Sequence, residues 1–318
     1  MDNLAHTLAG LALAEAGLKR RTALGTATLV VGANLPDVDA LAYMFGSGLD
    51  ALALRRGWTH GVLAMALWPP LLALLTAGWH RLRHRRDASG PPLHAGWLLA
   101  LAAVGVWSHP LLDLLNTYGV RLLMPFSERW FYGDTLFIVD PWLWGALALG
   151  IVWSRWRASV RPARVAIGAF LVYVAAMFGA SRASRAAAAA ASPGSAAART
   201  MAAPLPVTPL RRVVVRELGG GIGGAYETGI VTIGDGVRYA PRDTLPVAAD
   251  RAAAELAART PDGARFLRWS RFPRFVATPW GDSVHVRIHD ERYDDGRGGW
   301  ASVDVVVPRV AGVAAATR

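Results

Sequence analysis

Apolar residues come in long blocks through the first half of the chain, over 61–79, 95–115, 138–154 and 163–180. Each block approaches the roughly 17–25 residues that a helix needs to cross a bilayer. Two shorter apolar segments, 4–17 and 22–33, precede them and are too short to span alone. They predict a hairpin of short membrane helices, with Lys19-Arg20-Arg21 at its tip. Pro36 ends the second helix, because the residue before a proline disfavours the helical region. From Leu205 onward the chain is more polar. There 211–217, 228–233, 284–289 and 301–308 read as short strands and 246–259 as an amphipathic helix. Residues 183–204 are Ala/Ser/Pro/Gly-rich, and their low complexity reads as a linker. The pattern predicts a mainly α chain: a transmembrane bundle over 1–182 with four long spans and a short N-terminal hairpin, the linker, and a small soluble α+β domain over 205–318.

Charge orients this bundle. The formal net charge is +11, and the basic clusters at Lys19–Arg21, Arg81–Arg86 and Arg155–Arg164 each fall between apolar segments. The positive-inside rule puts such loops in the cytoplasm. Trp58, Trp107, Trp130, Trp142 and Trp153 sit near the span ends, where an aromatic belt belongs. Since that rule accounts for the arginines, no nucleic-acid partner is expected. Asp2 stands where a signal peptide would carry basic residues, so the N-terminus does not read as one. The span count sends the soluble domain to the extracytoplasmic side. Cysteine is absent, which excludes disulfides, thiolate metal ligands and cysteine nucleophiles.

With the basic loops inside, six residues able to bind a metal collect at the opposite ends of the apolar segments: His6, Asp37, Asp39, His60, His109 and Asp113. Ionisable groups in a membrane are expensive, so such a cluster reads as functional. His109 and Asp113 stand at i and i+4 on one helical face, and Asn116 continues it. Asp37 and Asp39 follow a helix in the turn Asn34-Leu-Pro-Asp37-Val-Asp39; they either cap a helix or point into a shared site. His6 and His60 add imidazoles. Imidazole and carboxylate donors without thiolate suit zinc, with manganese or iron as alternatives, and the donor count leaves room for one ion or two. Asp39 or Asp134 would be the base, or the partner that orients a histidine. Asn116, Tyr118 and Arg121, in the following loop, are candidates for holding an anionic substrate group, though such residues also order loops. Asp140 precedes Pro141 and reads as a helix cap.

Other signals carry less. Gly219-Gly-Gly-Ile-Gly-Gly lacks the Lys-Ser/Thr of a phosphate loop and reads as a hairpin. His80, His84 and His94 lie with a basic loop, and His285 and His289 fall in an exposed-looking strand. No G-x-S-x-G elbow is present.

Taken as a set, Asp2-Asn-Leu-x-His6-Thr-Leu-x-Gly10, Asn34-x-Pro-Asp37-x-Asp39, Arg56-Gly-x-Thr-His60 and His109-Pro-x-x-Asp113-x-x-Asn116-Thr-Tyr-Gly119 resemble the YdjM-like family of bacterial inner-membrane proteins, called membrane-bound metal-dependent hydrolases. The resemblance covers roughly residues 1–142. It implies a metal-dependent hydrolase in the inner membrane, carried onto His6, Asp37, Asp39, His60, His109 and Asp113, with all but Asp39 read as ligands, and names no substrate. Access from the membrane favours a lipid or a lipid-linked ester or phosphoester. The His, Pro-Asp and His-x-x-x-Asp pattern is more faintly similar to zinc-dependent phospholipases C. Trp269-Ser-Arg-Phe272-Pro and Asp290-Glu-Arg-Tyr293 resemble the C-terminal extension of longer family members. Two other classes compete: a transporter that relays protons or cations through the buried His and Asp residues, and a scaffold acting through its tail. Oligomeric state is not legible.

Overall fold

The computed structural model describes residues 1–83, 92–192, 197–294 and 299–309; His84 and Arg86 of the basic loop lie outside them. The chain divides into two compact units. One comprises Met1–Leu41, Leu54–Ser181 and Ala203–Leu210, and the other Ala42–Ala53, Arg182–Ala202 and Arg211–Arg318.

The first unit is helical. The N-terminal pair is α1 (Asn3–Glu15) and α2 (Gly25–Asn34), the latter followed by a 3-10 turn, Leu35–Leu41. After the short α3 (Ala42–Phe45) and α4 (Gly48–Leu54) of the other unit come α5 (Val62–Arg83), α6 (Ala95–Leu114), α7 (Pro141–Trp156) and α8 (Arg161–Ala191). Among the described residues α5, α6 and α8 are long and apolar enough to cross a membrane. The expected fourth span, 138–154, is not among these three, and its helix is α7. Asp140 caps the helix by accepting from the Trp142 and Leu143 amides, which fixes its start at Pro141. The resulting 16 residues of α7 reach about 24 Å at 1.5 Å per residue, against a hydrocarbon core of about 30 Å.

Close backbone approach holds the centre of this bundle together. A Cβ on Gly105 of α6 would meet the Leu29 carbonyl oxygen of α2 at 2.8 Å, and one on Gly32 would meet the Val106 amide nitrogen at 3.1 Å. Gly10 brings α1 equally near α2, 3.0 Å from the same carbonyl. Small residues permit such contacts between membrane helices, where van der Waals packing rather than the hydrophobic effect drives association. Leu67, Leu74 and Leu75 of α5 and Val165, Leu171 and Val172 of α8 are exposed, as side chains facing lipid would be.

The second unit holds two sheets. The four-stranded one is ordered β1-β2-β3-β4, with β1 (Ala197–Pro204), β2 (Arg211–Leu218), β3 (Ala225–Ile233) and β4 (Val237–Pro246). After α9 (Arg251–Arg259) and α10 (Pro261–Trp269) comes an antiparallel three-stranded sheet of β5 (Pro273–Trp280), β6 (Ser283–Asp290) and β7 (Ser302–Pro308). The α+β reading of the tail agrees with this in outline. The segment 183–204 differs, because α8 continues to Ala191 and Ala197–Pro204 forms a strand. Alanine is the strongest helix former, so the poly-Ala piece extends the helix that precedes it. Strands β4 and β5 escaped the sequence pattern because prolines interrupt them (Pro241 and Pro246; Pro273 and Pro279). The helix expected over 246–259 begins only at Arg251, where Asp250 caps it. The glycine run is the β2–β3 connection, with Gly219, Gly220 and Gly221 at positive φ.

Gly105→Val should therefore force α2 and α6 apart. We expect a loss of about 1–3 kcal/mol, read as a lower thermal-unfolding midpoint in detergent. Gly78→Ala in α5, where an added Cβ meets nothing within 4 Å, should leave the midpoint unchanged or raise it. Equal effects of the two substitutions would contradict close helix packing at Gly105.

Candidate metal centre

The Gly32–Gly105 approach sets the C-terminal end of α2 beside the last turns of α6. His109 Nδ1 lies 2.6 Å from the Ala33 carbonyl oxygen. A carbonyl only accepts, so Nδ1 carries a proton, and in the neutral ring His109 Nε2 turns its lone pair inward. Its neighbours there are His60 Nε2 at 3.1 Å, Asp113 Oδ2 at 3.5 Å and Asp37 Oδ1 at 3.7 Å. His6, on α1, stacks on the His109 ring with centroids 3.7 Å apart. His60 Nε2 also faces Asp113 Oδ2 at 3.4 Å and Asp37 Oδ1 at 3.9 Å. His6, His60, His109 and Asp113 are fully buried, and Asp37 is 7% exposed.

These donors make two overlapping triads sharing His109: His6, Asp37 and His109, and His60, His109 and Asp113, each with ligand atoms within 4.8 Å of one another. All five expected ligands are thus brought together. Both ring nitrogens of His6, and Asp113 Oδ2, are buried without a hydrogen-bond partner. Buried polar atoms are nearly always satisfied, so each exception calls for an explanation.

Asp39 stands behind the donors. Its Oδ2 accepts from Thr59 Oγ1 at 3.1 Å and from the Arg56 amide at 2.7 Å, and Thr59 Oγ1 lies 2.9 Å from His60 Nδ1. Since the Thr59 hydroxyl donates to Asp39, it accepts from His60 Nδ1–H, which fixes a second inward-facing Nε2. Burial also pushes the His60 pKa below the ordinary imidazole value, which favours the neutral form. Two Nε2 lone pairs at 3.1 Å repel unless a positive charge lies between them, either a proton on one ring or a metal ion. Asp134 sits elsewhere: it is buried at φ 51°, its amide bonds the Asn116 carbonyl, and neither triad includes it.

Two arginines that the sequence reading gave no role organise the centre. Arg56, 2% exposed and at positive φ, reaches Asp113 Oδ1 at 3.1 Å, Asn116 Oδ1 at 3.1 Å, the Gly119 carbonyl at 3.3 Å and the Met1 carbonyl at 3.2 Å. Asp113 Oδ1 also meets the Met1 amino group. Arg55 spans the two other carboxylates, with Nη1 on Asp39 at 2.8 Å and Nη2 on Asp37 at 3.1 Å. Arg56 and Thr59 stood inside a quoted motif, but nothing in the sequence marked which of its residues bear on Asp113. The Ala33 carbonyl has no sequence signal at all. Asn116, Tyr118 and Arg121, proposed for substrate, have protein partners here. Asn116 Oδ1 accepts from Arg56 and the Tyr118 amide, Tyr118 lies under the Arg56 guanidinium at 4.6 Å, and Arg121 bonds the Arg55 carbonyl and stacks on Trp130.

Comparison with known proteins settles the family. The model of the YdjM inner membrane protein family matches residues 1–188. The chain belongs to that family and is a bacterial inner-membrane protein. The inner membrane protein YbcI of Escherichia coli K12 is 29% identical over 153 residues, 40% of this chain and 82% of its own length. The uncharacterized protein YfhP of Bacillus subtilis 168 is 22% identical over 182 residues, 55% of this chain; the match spans about half of its length, 52%. No solved structure matches the chain.

The network around Arg56 yields a test. Arg56→Lys keeps the charge but not the planar fork that serves Asp113, Asn116 and Gly119 together. Leaving a buried carboxylate poorly paired should cost roughly 3–5 kcal/mol, measured as a drop in unfolding midpoint. Arg121→Lys, at the margin of the network, should cost less than a third of that. An Arg56→Lys protein as stable as wild type would show that Arg56 does not hold Asp113.

Proposed function

We propose that the protein is a metal-dependent hydrolase whose centre is held by His6, Asp37, His60, His109 and Asp113. The observation that carries this reading is the convergence of five buried side chains from four segments, two of which, His6 and Asp113, have atoms without a hydrogen-bond partner. Three imidazoles and two carboxylates suit zinc, or manganese or iron, and the shared His109 leaves one ion or two compatible with the donor set. A divalent metal held there supplies Lewis acidity, lowering the pKa of water and polarising a carbonyl or phosphoryl oxygen.

The chain's own residues do the rest. Ala33 and the Thr59–Asp39 pair hold the protons of His109 and His60 on Nδ1, so that both Nε2 atoms remain donors. Asp39 is a positioning residue in this scheme, acting through His60. Arg56 neutralises Asp113 Oδ1 and leaves Oδ2 turned toward the histidines. Asp37 and Arg55 form the least buried edge of the centre, with side chains 4% and 15% exposed, and substrate would enter there.

The donors sit at the C-terminal end of α6, before the start of α5 and after α2, whereas Arg81 and Arg83 close the far end of α5. With the basic end inside, the centre faces the extracytoplasmic surface. That position favours a lipid or lipid-linked ester or phosphoester as substrate. It also disfavours a transporter, whose site would lie near the midplane.

Detergent-purified protein should carry at least one equivalent of transition metal by elemental analysis. His109→Ala and Asp37→Ala should lose the bundle's share of that metal, together with hydrolysis of phospholipid and lipid-linked phosphoester in mixed micelles. Asp39→Asn should retain the metal but bind it 10–100-fold more weakly. Metal-free wild-type protein, or undiminished hydrolysis by His109→Ala, would eliminate the proposal.

A further inference from the structure

The tail contains a third group of metal-capable side chains, in the unit that does not hold the bundle centre. His289, placed by its sequence in an exposed-looking strand, is only 7% exposed. It is the penultimate residue of β6, between Arg274 of β5 and Ser302 of β7. The chain then turns sharply. The Glu291 amide bonds the Phe272 carbonyl at 3.0 Å, and the Tyr293 amide bonds the Asp290 carbonyl at 3.0 Å. Asp290 anchors that turn from inside, accepting from Ser270 Oγ and the Arg271 amide at 2.7 Å each and from Arg292 Nε at 2.8 Å.

The turn folds two carboxylates back onto the histidine. Glu291 Oε2 and Asp294 Oδ2 each lie 3.5 Å from His289 Nε2. His289 Nε2 and Glu291 Oε2 are both buried and have no hydrogen-bond partner. The three donor atoms fall within 4.8 Å of one another. His289, Tyr293 and Asp294 line a cavity of about 190 Å³ with room for an ion and its remaining ligands. Two nearby cations have carboxylate partners of their own, Arg292 with Asp290 and Arg287 with Asp304, each at 2.8 Å, while Arg274 also lines the cavity.

We propose that His289, Glu291 and Asp294 bind a divalent transition metal that staples the turn after β6. The charge balances, since two carboxylates and a neutral imidazole together carry the −2 that a divalent ion cancels. An imidazole in the set selects zinc, manganese or iron over calcium or magnesium, which take oxygen ligands. The competing arrangement is a protonated His289 between the two carboxylates, which needs no metal. This site is independent of the bundle centre and of the hydrolase reading.

The test uses the full chain in detergent, stripped by chelator and titrated with zinc(II), with bound metal counted by elemental analysis. In a His60→Ala, His109→Ala background one equivalent should remain. Adding His289→Ala or the milder Asp294→Asn should weaken it at least tenfold, while calcium at the same concentration does not compete. In the wild-type background Glu291→Gln should remove one equivalent without touching the bundle's share, so a bundle variant that fails to fold does not decide the outcome. Zinc content unchanged by Asp294→Asn and Glu291→Gln in the wild-type background would overturn the proposal, as would zinc-insensitive thermal unfolding of the tail. Metal lost on His109→Ala but kept in the tail, or the reverse, separates this proposal from the hydrolase reading.

Discussion

A carboxylate at the last turn of an apolar helix cannot remain ionised without compensating charge, because withdrawing it from water costs several kcal/mol even after relaxation. Asp113 is that carboxylate, fully buried in α6. Its two oxygens are treated differently. Oδ1 is met by Arg56 at 3.1 Å, while Oδ2 is left facing His60 and His109. Arg56 and the Met1 amino group meet one side, while the histidines crowd an oxygen that has no hydrogen-bond partner. The surrounding architecture follows from that asymmetry: a left-handed backbone at Arg56, an Asn116 side chain tied to the same guanidinium, and a Tyr118 ring beneath it.

Packing and chemistry meet in the glycines. His6 stacks on His109 only because α1 and α6 both approach α2 closely, through Gly10 on one side and Gly105 on the other. A methyl group at either contact would thicken the interface by tenths of an ångström or more, a large change for side chains packed as closely as His6 and His109. The helices that look most replaceable by composition are therefore the ones that fix the ligand spacing.

The sequence showed the five donors well and their supports poorly, for a physical reason. His109 and Asp113 announce themselves by helical spacing, and Asp37 and His60 by sitting where apolar segments end. The groups that orient them leave weaker traces. A carbonyl such as that of Ala33 has no side-chain signature, and Arg56 looks like one more basic residue at a span boundary until its partners are seen. The same blindness affected the tail. Proline-broken β4 and β5 failed the alternation test, so β6 lost a neighbour and His289 looked exposed. At the fourth apolar block hydropathy marked the helix, and Asp140 before Pro141 marked its start.

The two clusters also differ in how they come to exist. The tail group draws His289, Glu291 and Asp294 from one short stretch, so closing a single turn brings the donors together, and the loop-closure entropy is small. The bundle group draws on α1, the turn after α2, the segment before α5, and α6, so no part of it exists until the whole unit has assembled. Like-charged carboxylates and facing imidazole lone pairs oppose that last approach. Under the proposed reading, an added cation would relieve that opposition in the bundle, and in the tail it would fix a single turn. The difference argues for chemistry in the bundle and for architecture in the tail, because strain held by a distributed framework is how reactive sites keep polar groups unsatisfied.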